Sequence, residues 1–160
     1  MDERGLELER VKSLLSPNEQ ASLHGDALWS RDPDRCCAIR KVEPNERALE
    51  GAAIWVSALR RDQSRTREQT AVLGVATLGN GARLLKLCPL ATWTRKDVWN
   101  YIFAHRLPYN ALHDRGYPSV GCTHCTRPAT SDDDERSGRW VGTEKTECGL
   151  HLEKKPSTHE

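Results

Sequence analysis

Residues 53–59 read Ala-Ile-Trp-Val-Ser-Ala-Leu, a short and mostly apolar run. Such a run predicts a buried strand. The polar stretch Arg60-Arg-Asp-Gln-Ser64 follows it directly, and we interpret this stretch as the loop at the carboxyl end of the strand. Ligands of open α/β sheets bind at that end of the strands. The run therefore places a candidate binding loop next to a strand.

Helices and further strands are predicted on both sides of this run. Ser16 as N-cap, Pro17 at the first helical position and Glu19 three residues after the cap predict a helix that ends at Gly25. The remaining predicted elements are a strand within residues 5–11, a polar loop over 30–35, a helix over 44–50, a hairpin of 72–78 and 83–87, and a helix that begins after Thr94 and ends before Pro108. This alternation of helix and strand favours the α/β class.

The composition excludes several classes of protein. The chain has 160 residues, with 24 Lys and Arg against 23 Asp and Glu, so its net charge is +1. A balance so close to neutral predicts no general attraction to nucleic acid or to an anionic membrane. No apolar run has the length of a membrane span, and the first residues do not form a secretory signal. We therefore expect a cytoplasmic protein.

Six cysteines are unusual in such a chain. In a reducing compartment they indicate metal ligands or reactive thiols before disulfides. Cys36-Cys37 and Cys122-x-x-Cys125 form two tight pairs that can supply four thiolates to zinc or to a [4Fe–4S] cluster. Adjacent cysteines point in divergent directions, which favours the multi-iron cluster. Buried thiols that act as small hydrophobic groups, or a redox-active CxxC pair, are the alternatives.

The other two cysteines have different surroundings. Cys148 stands alone among charged residues near the end of the chain, where Lys145 and His151 would favour its thiolate. It is therefore either a nucleophile or an ordinary exposed cysteine. Cys88 lies in Leu-Cys-Pro at the end of a predicted strand and is expected to pack in the core.

Basic residues occur in three segments of this nearly neutral chain. They are Lys41 after the first cysteine pair; Arg60, Arg61, Arg65 and Arg67 in the loop after the first strand; and Arg136 and Arg139 between the CxxC pair and Cys148. As a set they fit an anionic ligand held near the sulfur atoms. The alternative is a group of solvated surface arginines.

Several motifs together resemble a known family. They are Arg31-Asp-Pro-Asp-Arg-Cys-Cys37 with Arg40-Lys41-Val42; Arg60-Arg-Asp-Gln-Ser64 with Thr66-Arg67; Pro89-Leu90 with Trp93 and Asp97-Val98-Trp99; Leu107-Pro-Tyr-Asn110; His113-Asp114 with Gly116-Tyr-Pro-Ser119; Gly121-Cys122; Cys125-Thr-Arg-Pro128; Gly138-Arg-Trp140; and Glu144-Lys-Thr-Glu-Cys-Gly-Leu-His151. Over about residues 20–151 the chain resembles the assimilatory sulfonucleotide reductases, in particular the iron–sulfur adenylylsulfate (APS) reductase branch of the phosphoadenylylsulfate (PAPS) reductase family.

The resemblance implies a role for each candidate residue. It implies that Cys36, Cys37, Cys122 and Cys125 ligate a [4Fe–4S] cluster and that Cys148 is the nucleophile. Lys41 would lie between cluster and substrate, and Arg67, Arg136, Arg139 and His151 would contact the substrate. PAPS-specific members usually lack both cysteine pairs, so the pairs favour APS as substrate.

The resemblance also implies a fold and a domain organisation. The family fold is similar to an adenine-nucleotide hydrolase, with a parallel sheet that opens with a strand and a Ser-Gly-Gly-x-Asp-Ser phosphate loop. That loop is absent from this sequence. We therefore expect an incomplete α/β domain over residues 1–151, the carboxyl-terminal part of a reductase with the first strands missing, followed by a disordered tail over 152–160.

The implied activity is thioredoxin-dependent reduction of APS, or of PAPS, to sulfite in sulfate assimilation and cysteine biosynthesis. The route implied is attack of Cys148 on the sulfate sulfur, an S-sulfocysteine intermediate, and release of sulfite by a thiol of thioredoxin. Because the backbone donors of the phosphate loop are missing, we expect binding of adenylyl sulfate by this chain alone to be weak or undetectable. The rival hypothesis is a structural remnant that binds a cluster or zinc without catalysis. A nucleic-acid-binding zinc module is disfavoured by the net charge of +1 and by the adjacent cysteines.

Overall fold

The computed structural model describes residues 5, 7–129 and 134–151, which pack as two compact units. The first unit contains the described residues of 1–51 and 148–152, and the second contains those of 52–147. The predicted single domain over residues 1–151 stays a prediction. The predicted disordered tail over 152–160 lies outside the described residues.

Four α-helices and a π-helical segment form the first unit. They are α1 (Pro17–His24), α2 (Leu28–Arg31), α3 (Pro33–Cys37), the π-helical segment Ala38–Val42, and α4 (Glu43–Leu49). The boundaries of α1 are confirmed. Ser16 Oγ accepts a hydrogen bond from Glu19 N at 3.2 Å, and Glu19 Oε2 accepts one from Ser16 N at 2.7 Å. Gly25 ends α1 with a φ of +77°, a backbone conformation that favours glycine.

Two local predictions in this unit are wrong. In the predicted strand over 5–11, the described residues 5 and 7–11 have no regular structure. Leu8 is 69% exposed and so provides no buried apolar face that would hold a strand. Residues 30–35 are mostly helical and not a loop. Asp32 accepts a hydrogen bond from Arg35 N at 2.8 Å, and Pro33 follows it at the first helical position. The same cap-and-proline signal that predicted α1 therefore starts α3.

The second unit contains a three-stranded sheet and one longer helix. The strands are β1 (Ile54–Val56), β2 (Leu73–Thr77) and β3 (Arg83–Leu87), in the order β1-β3-β2, and the helix is α5 (Arg95–Ala104). β1 pairs with β3 in parallel, whereas β2 and β3 form the predicted antiparallel hairpin. The sheet is thus mixed and not parallel throughout, because a short turn can join only antiparallel strands.

The predicted buried strand over 53–59 is both shorter and more exposed than expected. Its regular part is β1, in which Ile54 is 51% exposed and Val56 is 60% exposed. The buried residue is Leu59, after the strand, which clusters with Cys88 and Ala91. Cys88 is 1% exposed, which confirms its predicted place in the core.

Helix α5 begins after Thr94, as predicted, and carries a stacked pair of aromatic rings. Thr94 Oγ1 accepts from Asp97 N at 3.2 Å, and the rings of Trp99 and Phe103 stack with their centroids 5.6 Å apart. The N-terminus of α5 also fixes the loop after β1, because Arg95 N donates to Asp62 Oδ2 at 2.6 Å. None of the helices in the described part of the chain is long and apolar enough to cross a membrane.

Candidate active site and cysteine pairs

The first cysteine pair closes α3 in the first unit. Cys36 and Cys37 are consecutive helical residues, so their side chains leave the helix about 100° apart. Cys37 is buried and Cys36 is half-buried. Gln20 Nε2 lies 3.9 Å from Cys36 Sγ and donates to it. The two sulfurs therefore have different environments, as predicted for adjacent cysteines.

The π-helical segment Ala38–Val42 follows this pair directly and carries Lys41. Such segments are rare and occur frequently at functional sites. The segment after Cys148 lies close to it, since a β-carbon on Gly149 would be 3.4 Å from Val42 Cγ2. Gly149 has a φ of +88°, which favours glycine. The first unit thus contains the first cysteine pair, Lys41, Cys148 and His151.

The arginines of the predicted cationic loop after β1 have two different roles. Arg60 is buried, and its guanidinium pairs with Asp62 Oδ1 at 2.8 Å and with Glu135 Oε1 at 3.1 Å. Arg61 Nε donates to the carbonyl oxygen of Thr70 at 2.9 Å. These two arginines are occupied in holding the loop and its neighbours.

Arg67 faces a carboxylate from a distant part of the chain. Its Nε and Nη2 donate to Glu147 Oε1 and Oε2, each at 2.9 Å, in a bidentate ion pair. Arg136 Nη2 reaches Glu147 Oε2 at 3.2 Å, and Thr66 Oγ1 donates to Glu147 Oε1 at 3.0 Å. The side chains of Arg67, Arg136 and Glu147 are 11%, 12% and 10% exposed. We call Thr66, Arg67, Arg136 and Glu147 the glutamate clamp.

The clamp determines the ionisation of Glu147. Burial alone would raise its pKa, but the hydrogen bond from Arg67 and the charges of Arg136 and Arg67 outweigh burial, and the hydrogen bond from Thr66 acts in the same direction. The pKa of Glu147 is therefore lowered from its ordinary value of 4.5. The carboxylate stays ionised at neutral pH as the partner of two guanidinium groups.

The second cysteine pair lies on a 3₁₀ turn of the second unit, Thr123–Cys125. Cys125 N donates to the carbonyl oxygen of Cys122 at 3.1 Å. The buried hydroxyl of Thr126 donates to the same oxygen at 2.9 Å and accepts from Gly121 N at 3.1 Å. Thr126 thus closes the turn, a role that the sequence analysis missed because a lone threonine carries no distinct signal.

Arg139 supports this turn. Its guanidinium lies over the Trp140 ring, 4.6 Å from the centroid, and Nη1 donates to Ser119 Oγ at 3.2 Å. The guanidinium occupies the space that a β-carbon on Gly121 would need. Its predicted contact with substrate stays a prediction, because its described contacts are with protein groups beside the cysteine turn.

The donor chemistry of the two cysteine pairs fits a thiolate-bound cluster. All six cysteines are free thiols, the type of ligand that a [4Fe–4S] cluster takes in sets of four. Arg139 Nε is buried and has no hydrogen-bond partner within the described residues. A buried N–H donor beside Cys122 suits an anionic centre. In the part of the chain that the structure describes, no three His, Cys, Asp or Glu side chains form a ligand group for a metal ion.

A substitution at Gly138 tests the packing around the second cysteine pair. Arg127 N donates to the Gly138 carbonyl at 2.8 Å, and a β-carbon on Gly138 would overlap the carbonyl oxygen of Arg127. We expect Gly138→Ala to lower the free energy of unfolding by about 1–3 kcal/mol, because backbone atoms must move. The measurement is urea unfolding followed by tryptophan fluorescence. The control is Gly74→Ala, whose new β-carbon would lie 3.9 Å from its nearest neighbour. Equal stability of the two variants would contradict this packing.

Acidification tests the ion pairs of Glu147. Because its pKa is lowered in the folded state, its contribution to stability is present above the ordinary value of 4.5 and is lost as pH falls through the folded value. We expect the difference in unfolding free energy between the parent chain and Glu147→Gln to shrink as the pH is lowered below 4.5. Urea titrations at a series of pH values measure this difference. A difference that grows toward acid pH would rule out the ion pairs as its source.

Comparisons with known proteins give the family. The family model described as phosphoadenosine phosphosulfate reductase domain matches residues 1–128. Adenosine 5'-phosphosulfate reductase of Lysinibacillus sphaericus (strain C3-41) is 53% identical over 146 residues, which cover 91% of this chain and 61% of that protein. The enzyme of the same name from Geobacillus thermodenitrificans (strain NG80-2) is 54% identical over 138 residues, covering 86% of this chain and 57% of that protein.

A solved structure agrees with these relatives. The phosphoadenylyl-sulfate reductase of Candida auris, crystallised as a phosphate complex, superposes with a TM-score of 0.57 at 33% identity, covering 71% of this chain and 53% of that one. This likeness confirms the predicted α/β class. The chain spans 61% and 57% of the two curated relatives' length. With residues 1–128 matched by the family model, the chain belongs to the phosphoadenosine phosphosulfate reductase family.

Proposed function

We propose that this chain carries the nucleophile and the cationic residues for reduction of adenylyl sulfate to sulfite and AMP in cytoplasmic sulfate assimilation. The observation that supports it most directly is the glutamate clamp. Arg67 and Arg136, which the family resemblance implies as substrate contacts, both hold Glu147, the residue before Cys148. Relatives named adenosine 5'-phosphosulfate reductase support APS as the preferred substrate.

The proposed reaction has three thiol steps. The Cys148 thiolate attacks the sulfur of the sulfate group, so that an S–S bond forms, the S–O bond to the phosphate breaks, and AMP leaves with the electron pair. One thiol of reduced thioredoxin then attacks Cys148 Sγ, and sulfite leaves. The second thioredoxin thiol resolves the mixed disulfide. Sulfate sulfur is reduced by two electrons, and two thiols are oxidised to one disulfide.

Positive charge is required for the first step. A thiolate and a polyanionic substrate repel one another, and preorganised cations reduce that cost at the atoms where charge develops. In our proposal the substrate is contacted by five basic residues of this chain: Lys41, Arg67, Arg136, Arg139 and His151. Lys41 is half-buried in the first unit, which also contains Cys148.

We also propose that Cys36, Cys37, Cys122 and Cys125 bind one [4Fe–4S] cluster. When bound, the cluster would supply a compact anionic iron–sulfide centre that passes no net electrons in the cycle. The cysteines would hold it as thiolates, and Arg139 would lie beside the Cys122–Cys125 turn. The rival candidate, a structural remnant that holds a cluster or zinc on the same four cysteines, binds no nucleotide and carries out no reaction at Cys148.

The ligand set is tested by anaerobic purification of the full chain with iron, sulfide and zinc analysis. We expect a brown protein with equal amounts of iron and sulfide. Cys122→Ser should lose the visible absorption, because it removes a ligand. Cys148→Ser should keep it, because Cys148 belongs to neither pair. Zinc without sulfide in the parent chain, or loss of colour in Cys148→Ser alone, would overturn the assignment.

The nucleophile is tested by incubation with APS in the absence of thioredoxin. At high APS concentration, which offsets the weak binding expected without the phosphate loop, we expect one sulfonate on the peptide that contains Cys148, detected by mass spectrometry, and release of sulfite when reduced thioredoxin is added. Cys148→Ser should form no adduct, since a neutral hydroxyl is a far poorer nucleophile than a thiolate. PAPS should react more slowly than APS. An iron-loaded chain that forms no adduct would favour the non-catalytic remnant, and an adduct on Cys88 would refute the assignment.

A further inference from the structure

The glutamate clamp fixes a backbone that no helix or strand fixes. Residues 144–147 belong to neither kind of element. Arg136 Nη2 donates to the carbonyl oxygen of Thr146 at 2.8 Å as well as to the Glu147 carboxylate at 3.2 Å. The same nitrogen therefore holds the main chain of one residue and the side chain of the next. Together with the bidentate bond from Arg67, this restricts both the position and the orientation of Glu147.

Arg67, which donates two hydrogen bonds to Glu147, donates a third to a neighbouring side chain. Gln63 Oε1 accepts from Arg67 Nη1 at 2.6 Å. On the carboxylate side, the hydroxyls of Ser64 and Thr66 lie 2.9 Å apart, and Thr66 also donates to Glu147. A guanidinium whose orientation is fixed by a second hydrogen bond gives a directional contact to a carboxylate. The loop over residues 63–67 therefore restrains both Arg67 and the Glu147 side chain that it contacts.

We propose that Glu147 is a positioning residue for the first thiol step, holding the chain immediately before Cys148 so that the thiolate is aimed at the substrate. The inference rests on the proposed function. Consecutive α-carbons are about 3.8 Å apart, so fixing Glu147 restricts the region that the Cys148 sulfur can reach. Reactions between groups held in place are faster because the orientation is set beforehand, and a misplacement of about 1 Å can cost about 100-fold in rate.

Two other roles for the same contacts make different predictions. A purely structural ion pair would change the stability of the chain without changing the rate of the folded protein. A carboxylate that occupies the place of a substrate anion would compete with APS, so its removal would tighten APS binding. A positioning residue changes the maximal rate of sulfonation and leaves APS binding unchanged.

The experiment compares four forms of the full chain prepared anaerobically: the parent chain, Glu147→Gln, Glu147→Asp and Glu144→Gln. Glu144→Gln is the matched control, because Glu144 is exposed in the same segment. Single-turnover formation of the Cys148 sulfonate is followed by mass spectrometry at increasing APS concentrations. Hydrogen exchange of the peptide over residues 144–150 and thermal unfolding are measured on the same samples.

We expect Glu147→Gln to lower the maximal rate of sulfonation about 10- to 100-fold at an unchanged half-saturating APS concentration. Glu147→Asp should also be slower, because the shorter side chain cannot keep both bonds to Arg67 without moving the backbone. Glu144→Gln should match the parent chain. An unchanged maximal rate in Glu147→Gln, or a lower half-saturating concentration of APS, would overturn the proposal.

Hydrogen exchange separates failure of this inference from failure of the proposed function. If the parent chain forms no sulfonate with APS, the proposed function fails, but Glu147→Gln must still speed exchange of the amides around Cys148 relative to Glu144→Gln. Unchanged exchange in Glu147→Gln would refute the positioning role whatever the outcome with APS.

Discussion

The Glu147 carboxylate and its two guanidinium partners are the interaction on which the candidate site depends. Three charged side chains, each about one-tenth exposed, are tolerable only together, because removing one partner of a buried pair leaves an uncompensated charge. Arg67 and Glu147 are 80 residues apart in the chain. The loop after β1 and the segment that ends at Glu147 are therefore structured by one another.

Elements whose signals lie within a few residues were predictable from the sequence. The capping boxes of Ser16 and Thr94 each consist of two residues three positions apart, and both helices begin where they indicated. The hairpin around Asn80 was equally local, since Gly81 has the positive φ that its turn requires. Predictions that depended on burial were less successful. The apolar run at Ile54 gives an exposed strand, because burial depends on which other elements cover a face.

The candidate site shows the same division. Residue type and resemblance singled out the cysteines and Arg67 as candidates, but residue type alone grouped Arg60 with Arg67 as cations of one loop. In the structure Arg60 forms ion pairs with Asp62 and Glu135, whereas Arg67 forms an ion pair with Glu147. Which carboxylate neutralises which arginine is decided by contacts between residues far apart in the chain, and a single sequence carries no pattern for such pairs.

Cys148 stands alone among charged residues near the end of the chain, yet both of its neighbours along the chain have defined contacts. Glu147 is held by charge and hydrogen bonds, and Gly149, at a φ of +88°, lies against Val42. In the proposed reaction the thiolate of Cys148 must be aimed at a substrate that carries negative charge. A guanidinium has five N–H donors, so Arg67 and Arg136 can hold the Glu147 carboxylate and still offer N–H groups to a substrate anion. In that reaction the clamp therefore aims the thiolate without giving up its positive charges.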